Sequence, residues 1–173
     1  MPKDQPLAAE EEVLWRALMR IVVALPRELD SDLVRATGLT ANEYKTLMAL
    51  SEVPNRELRM AELANATGLS ASRMTRLVDD LQSRGFVIKR ASAADGRGNV
   101  AKLTPEGFAK LKSAWPAHLA SVRRRVFDHI DSAAVKRAAQ AMSGVAAQLG
   151  DEPAKAQNRT SQIVPVPRRT PTR

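Results

Sequence analysis

The sequence predicts a mainly α-helical chain with one small β-hairpin, and three observations carry that prediction. Apolar residues recur at spacings of three and four over most of residues 10–149. Two short β-prone runs, Phe86-Val87-Ile88-Lys89-Arg90 and Asn99-Val100-Ala101-Lys102-Leu103, flank a small, glycine-rich segment from Ser92 to Gly98 that has the composition of a hairpin tip. Capping and stop residues stand where helices would begin and end.

Residues 1–9 read as a disordered lead-in. From Glu10, the residues Val13, Leu14, Leu18, Ile21, Val22 and Leu25 keep helical spacing. Pro26 lacks an amide and crowds the preceding turn. A kink or break is therefore expected near Ala24 to Pro26, with a second piece carrying Leu29 and Leu33 to about Thr37. Thr40-Ala41-Asn42-Glu43 is a capping box, in which the hydroxyl and the carboxylate each accept one orphan amide. Its helix carries Tyr44, Leu47, Met48 and Leu50 and ends near Ser51, before a turn at Pro54-Asn55. Leu58-Arg59-Met60 is an extended link, and Met60 to Ala66 a brief helix with Leu63 inward.

Thr67-Gly68-Leu69 is a tight turn, since Gly68 can take positive φ. Ser70 is the next N-cap. The helix from Ala71 to about Ser83 lines up Met74, Leu77, Val78 and Leu81 on one stripe and stops at Gly85. After the hairpin, Thr104-Pro105-Glu106 supplies an N-cap, a proline at the first helical position and an acid in the first turn. Phe108, Leu111, Trp115, Leu119, Val122 and Val126 continue this helix, with a bend expected at Pro116. Ser132 is expected to cap a last helix that carries Val135, Ala139, Met142, Val145 and Leu149 on one face. Residues 150–173 hold few apolar side chains and cannot offset their ordering entropy, so they read as a disordered basic tail.

The 173 residues carry a net charge of +8, which favours a polyanionic partner. Aromatic residues make up 3%, too few for a platform that stacks single-stranded bases, so duplex DNA is favoured. Cysteine is absent, which excludes disulfides, thiolate metal sites and thiol redox sensing. His118 and His129 are the only histidines and have no carboxylate cluster beside them, so neither a metal nor a cofactor is expected. The longest apolar run, Ile21 to Leu25, is too short to cross a bilayer, and the N-terminus lacks a secretory pattern. A cytoplasmic protein with no membrane partner is expected. There is no nucleophile with a positioned base and no phosphate loop, so an enzyme is not expected.

Segment 58–104 carries the chemistry. Two short helices joined by a tight turn make a helix-turn-helix, in which the first residues of the second helix reach base edges in the major groove. Here these are Ser70, Ala71, Ser72, Arg73, Thr75 and Arg76. Arg73 can hold a guanine edge through its planar fork, and Ser72 and Thr75 suit phosphate or base contacts. Arg97, at the hairpin tip, suits an adjacent minor groove. Asp95 would be repelled by DNA unless paired, and Arg76 and Arg97 are its candidate partners. Lys89 and Arg90 are candidate phosphate contacts.

The run Leu63-Ala64, Gly68-Leu69-Ser70, Thr75-Arg76-Leu77-Val78, Leu81 and Gly85-Phe86-Val87, followed by Asp95-Gly96-Arg97 and Leu103-Thr104-Pro105-Glu106-Gly107, resembles the MarR family of bacterial regulators. Gly38-Leu39-Thr40 also fits, and the resemblance covers roughly Glu12 to Leu149. It implies a winged helix-turn-helix core over 10–149, with the helix-turn-helix at about 60–84 and the wing at about 86–103. It implies dimerisation helices at about 10–37 and 105–149, and a homodimer on an inverted repeat in double-stranded DNA. By position, Ser70, Ser72, Arg73, Thr75, Arg76 and Arg97 take the DNA contacts and Asp95 the wing support. Ala71 departs from the family, where a polar or basic residue is common.

Members of this family often respond to aromatic carboxylates or similar ligands in a cleft beside the DNA-binding lobe. Trp15, Tyr44 and His118, with Arg16 as counter-charge, are the candidate lining for a small aromatic or anionic effector. The plainer reading is core packing for Trp15 and Tyr44 and a surface or interface place for His118. The expectation is a homodimeric transcriptional repressor relieved by a small molecule. The alternative is a constitutive architectural or accessory DNA-binding protein without a ligand.

Overall fold

A computed structural model describes residues 5–91 and 99–149. Among these the chain forms α1 (Ala9–Thr37), α2 (Ala41–Ser51), β1 (Glu57–Arg59), α3 (Met60–Thr67), α4 (Ala71–Ser83), β2 (Val87–Ala91), β3 (Asn99–Leu103), α5 (Pro105–Arg125) and α6 (Ser132–Gln148). No helix among the described residues is long and apolar enough to cross a membrane. The lead-in to residue 4, the hairpin tip at 92–98 and the tail from 150 lie outside the described residues.

The caps explain most of the boundaries. Thr40 Oγ1 accepts the Glu43 amide at 3.2 Å while Glu43 Oε2 accepts the Thr40 amide at 2.6 Å, closing the expected box at the start of α2. Thr104 Oγ1 accepts the Gly107 amide at 2.9 Å and donates to the Gly85 carbonyl at 2.8 Å, so one hydroxyl both opens α5 and holds the base of the hairpin. Gly107 allows that closeness: a Cβ there would lie 2.1 Å from the Phe86 carbonyl oxygen. The cap of α6 is Asp131, not Ser132, with Asp131 Oδ1 accepting the Ala134 amide at 2.7 Å. A carboxylate at that position meets both the orphan amide and the positive end of the helix.

Pro26 does not break α1, which runs as one helix of 29 residues. The hydrogen bond that Pro26 cannot make would end on the carbonyl of Val22, on an exposed turn where water can satisfy it. Likewise α5 continues through the exposed Pro116.

The strands form one antiparallel sheet in the order β1-β3-β2, with Leu58 opposite Ala101, Val87 opposite Leu103 and Arg90 opposite Val100. The expected two-strand hairpin thus gains a third, short strand from the Leu58 link. Val87, Ala101 and Leu103 turn inward and join Leu47, Leu50, Leu63, Met74, Val78, Leu81 and Leu111 in one core. Leu33, near the end of α1, also reaches this core. The rest of the molecule is different. Val13 is 69% exposed and Val22 62%, and α6 has no buried residue.

Candidate nucleic-acid interface

The turn between α3 and α4 is built for a sharp change of direction. Gly68 sits at φ +71, and Leu69 donates its amide to the Ala64 carbonyl at 3.0 Å. A side chain at that φ would be strained, which is why glycine holds the position. α4 then starts at Ser70, whose hydroxyl accepts from the Arg73 amide at 3.4 Å and lies 3.4 Å from the Ser72 hydroxyl. Met74, Val78 and Leu81 are fully buried against the lobe. By helical periodicity the opposite face must then point outward.

That face holds Ser70, Ser72, Arg73, Thr75 and Arg76, all exposed. Among the described residues, the Arg73 and Arg76 guanidiniums have no acid and no hydrogen-bond acceptor. Two unpaired guanidiniums one helical turn apart, beside small hydroxyls and the free amides of a helix start, can meet phosphates and base edges together. Arg97 and Asp95, with the proposed pairing of Asp95 to Arg76 or Arg97, lie outside the described residues.

Lys89 and Arg90, the candidate phosphate contacts on β2, are engaged. Lys89 Nζ lies 2.7 Å from Asp79, and Arg90 Nη2 lies 2.7 Å from Glu57 across the sheet. These two pairs fix the sheet to α4 and strand to strand. Arg84, at the end of α4, was not singled out by the sequence and bonds to Glu43 at 2.5 Å and to the Gly38 carbonyl at 3.1 Å.

Of the four residues expected to line a small-molecule pocket, the fold brings two together. The rings of Tyr44 and His118 lie 4.7 Å apart, and Trp115, one turn from His118, lies 6.3 Å from it. Trp115 was visible in the sequence only as one position of an apolar stripe. Tyr44 is buried, and its hydroxyl has no hydrogen-bond partner among the described residues. Burial raises the Tyr44 phenol above its ordinary pKa, with the Glu52 carboxylate adding to the shift. Burial holds the His118 imidazole below its ordinary value, and Lys45 pushes the same way. Both groups are therefore neutral at pH 7. Trp15 is not with them. It is 53% exposed on α1, because the unbroken helix carries it about 27 Å in rise from Leu33. Arg16 is paired with Glu12 at 2.5 Å. A separate cavity of about 570 Å³, lined by Ser51, Asn55, Arg56 and Lys102 among others, contains none of the expected site residues.

The family model for MarR proteins matches residues 37–98. The chain is 33% identical over 85 residues to the transcriptional repressor YetL of Bacillus subtilis, a match spanning 49% of this chain and 51% of YetL. It is 33% identical over 106 residues to the transcriptional repressor Rv2887 of Mycobacterium tuberculosis, covering 61% of this chain and 74% of that protein. The chain belongs to the MarR family. A MarR-family regulator from Streptomyces coelicolor, Sco3205, solved in complex with DNA, superposes with a TM-score of 0.75 at 34% identity, over 86% of this chain and 94% of that one. The segment matched by the MarR model runs from the end of α1 to the hairpin, while the structural likeness takes in most of the exposed helices as well.

Proposed function

We propose that this MarR-family chain is a homodimeric regulator of transcription that reads an inverted repeat in double-stranded DNA. The observation that carries this is the outward face of α4, where Arg73 and Arg76 have no partner among the described residues, on a helix whose other face is packed into the core. In this reading Ser70, Ser72, Arg73, Thr75 and Arg76 contact the major groove and Arg97 the minor groove, with Asp95 supporting the wing. Lys89 and Arg90 reach phosphates as second contacts, after loosening from Asp79 and Glu57. Repression is the outcome suggested by the relatives YetL and Rv2887, both transcriptional repressors.

Dimerisation is proposed from the apolar faces of α1 and α6, which the other described residues leave exposed. Relief of binding by a small aromatic or anionic effector is proposed from Tyr44, His118 and Trp115. A buried hydroxyl without a partner calls for one. The neutral phenol and imidazole present donors beside aromatic faces, with the Lys45 ammonium near enough to act on His118.

The test is selection of bound duplexes from a random pool at near-physiological salt. Enrichment of an inverted repeat supports the reading and supplies the probe for an effector screen. Binding without enrichment that collapses as salt rises would favour a constitutive, non-specific DNA binder.

A further inference from the structure

The two ends of α4 are held in opposite ways. Among the described residues its N-terminal arginines have no partner, whereas Arg84 at its C-terminal end is among the most heavily bonded cations. Arg84 Nη1 donates to Glu43 Oε1 at 2.5 Å and to Asp80 at 3.3 Å, and Nη2 donates to the Gly38 carbonyl at 3.1 Å. Its guanidinium also lies 5.1 Å from the centre of the Phe86 ring. Glu43 is doubly used: Oε2 accepts the Thr40 amide and hydroxyl that cap α2, leaving Oε1 for Arg84. The Glu43 side chain is 9% exposed, so water cannot readily replace a lost partner. Gly38 is the C-cap of α1, and its neighbour Thr37 gives its carbonyl to Lys110 Nζ at 2.6 Å.

One guanidinium therefore ties together the end of α1, the start of α2 and the end of α4. The planar fork of arginine suits this, since it offers several donors in fixed directions. We propose that Arg84 is a positioning residue for DNA recognition, setting the angle of α4 against α1 and thereby the separation of the two reading helices in a dimer. This rests on the regulator reading given above. The leverage is large. α4 has 13 residues, about 20 Å of rise, so a 10° swing about its held end moves the Arg73 end by about 3 Å. That displacement exceeds the tolerance of any hydrogen bond to a base. Half-site spacing is fixed by the duplex, so freedom at this joint weakens binding to a correctly spaced repeat and relaxes discrimination against wrongly spaced ones.

The experiment uses the full chain with Arg84→Gln and Arg84→Lys, measured against the inverted repeat that the unaltered protein selects. The same repeat with one base pair inserted or removed between its halves, and a random duplex, complete the set. Arg84→Gln should lose about tenfold on the selected repeat, the order of one mismatched base pair. It should keep its affinity for the random duplex and show a smaller penalty for altered spacing. Arg84→Lys should recover part of the loss, since one ammonium can serve Glu43 or Gly38 but not both with the same geometry.

Equal losses on every duplex, or unchanged spacing discrimination, would overturn the proposal and make Arg84 a phosphate contact or a stability residue. Should Arg84→Gln not fold, Glu43→Gln breaks the same link while leaving an acceptor for the Thr40 amide, and is read in the same way. Amide exchange without DNA separates this proposal from the regulator reading. Faster exchange at Leu39 and in the last turn of α4 in Arg84→Gln is expected even if no repeat is selected, and unchanged protection there would overturn the link by itself.

Discussion

Leu63 on α3 and Leu149, the C-cap of α6, both belong to apolar stripes, yet one is fully buried and the other 82% exposed. The contrast holds for the regions they belong to. α2, α3, α4, the sheet and the first half of α5 share one closed core, whose leucines at 39, 47, 50, 63 and 81 are fully buried. The N-terminal half of α1 and all of α6 carry apolar stripes of the same period that the other described residues leave exposed. Leu14 is 53% exposed, Ile21 51% and Val145 50%. Periodicity alone thus reports that a face will be covered, and says nothing of whether the cover comes from the same chain. The lobe closes its core with its own side chains. The arms have a surface that no described residue covers, and the proposed dimer assigns that role to a second copy.

The sharpest way to break this contrast is to place charge on the arms. Leu14→Asp combined with Ile21→Asp, two substitutions on one face of α1, should convert the proposed dimer to monomer in sedimentation velocity. Affinity for a full inverted repeat should fall about a hundredfold or more, because the second half-site is no longer tethered to the first. The lobe should still unfold cooperatively. A dimer that survives both charges would remove the arms from the interface.

The next largest effect lies on the other side of the comparison. Leu63→Ala opens a cavity in a closed core and should cost about 2–5 kcal/mol in urea unfolding. Val22→Ala, measured in the monomeric background, should cost about 0.5 kcal/mol or less. Similar costs at the two positions would mean that the arms are buried in the isolated chain after all.

What the sequence disclosed follows the range of the interactions. The capping box at Thr40, the glycine turn at Gly68 and the stripe on α4 depend on residues within one or two turns, and all three stand where they were read. Pro26 misled because the cost of an interior proline depends on whether the freed carbonyl is wet, which the local sequence does not state. Trp15 and Tyr44 look alike in a helical pattern, and only the packing of α5 against α2 makes one a buried neighbour of His118 and leaves the other in water. Arg84 was missed for the same reason, since its partners Glu43 and Gly38 lie 41 and 46 residues away. Lys89 and Arg90, candidate phosphate contacts in the sequence, are each paired with an acid, the second with one 33 residues distant.

Arg73→Ala sharpens the claim that the outward face of α4 reads sequence. No partner inside the described chain is lost, so thermal stability should stay within about 0.5 kcal/mol of the parent. Affinity for the selected repeat should drop by about 1–3 kcal/mol, with discrimination relaxed at one base pair per half-site. A loss shared equally by random duplexes would reduce Arg73 to a phosphate contact.

The smallest expected effect concerns the joint between the two regions. Asp32, buried near the end of α1, accepts from Ser121 at 2.6 Å, from Arg124 at 2.7 Å and from Arg125 at 3.0 Å, all on α5. Hydrogen bonds from Arg125 and Ser121 hold its carboxyl well below the usual carboxylate range, against the opposing push of burial. A folded-state pKa below the unfolded value contributes stability that is complete above the unfolded value, about 3.9, and is lost as pH falls through the folded one. At pH 7 Asp32→Asn should therefore melt at a lower temperature than the parent, and the gap should close as pH drops below about 4. The change stays modest because Arg124 remains largely solvated and regains water when the carboxylate is neutralised. A gap that persists undiminished at low pH would mean that Asp32 acts through packing, and the ionic tie between arm and lobe would lose its support.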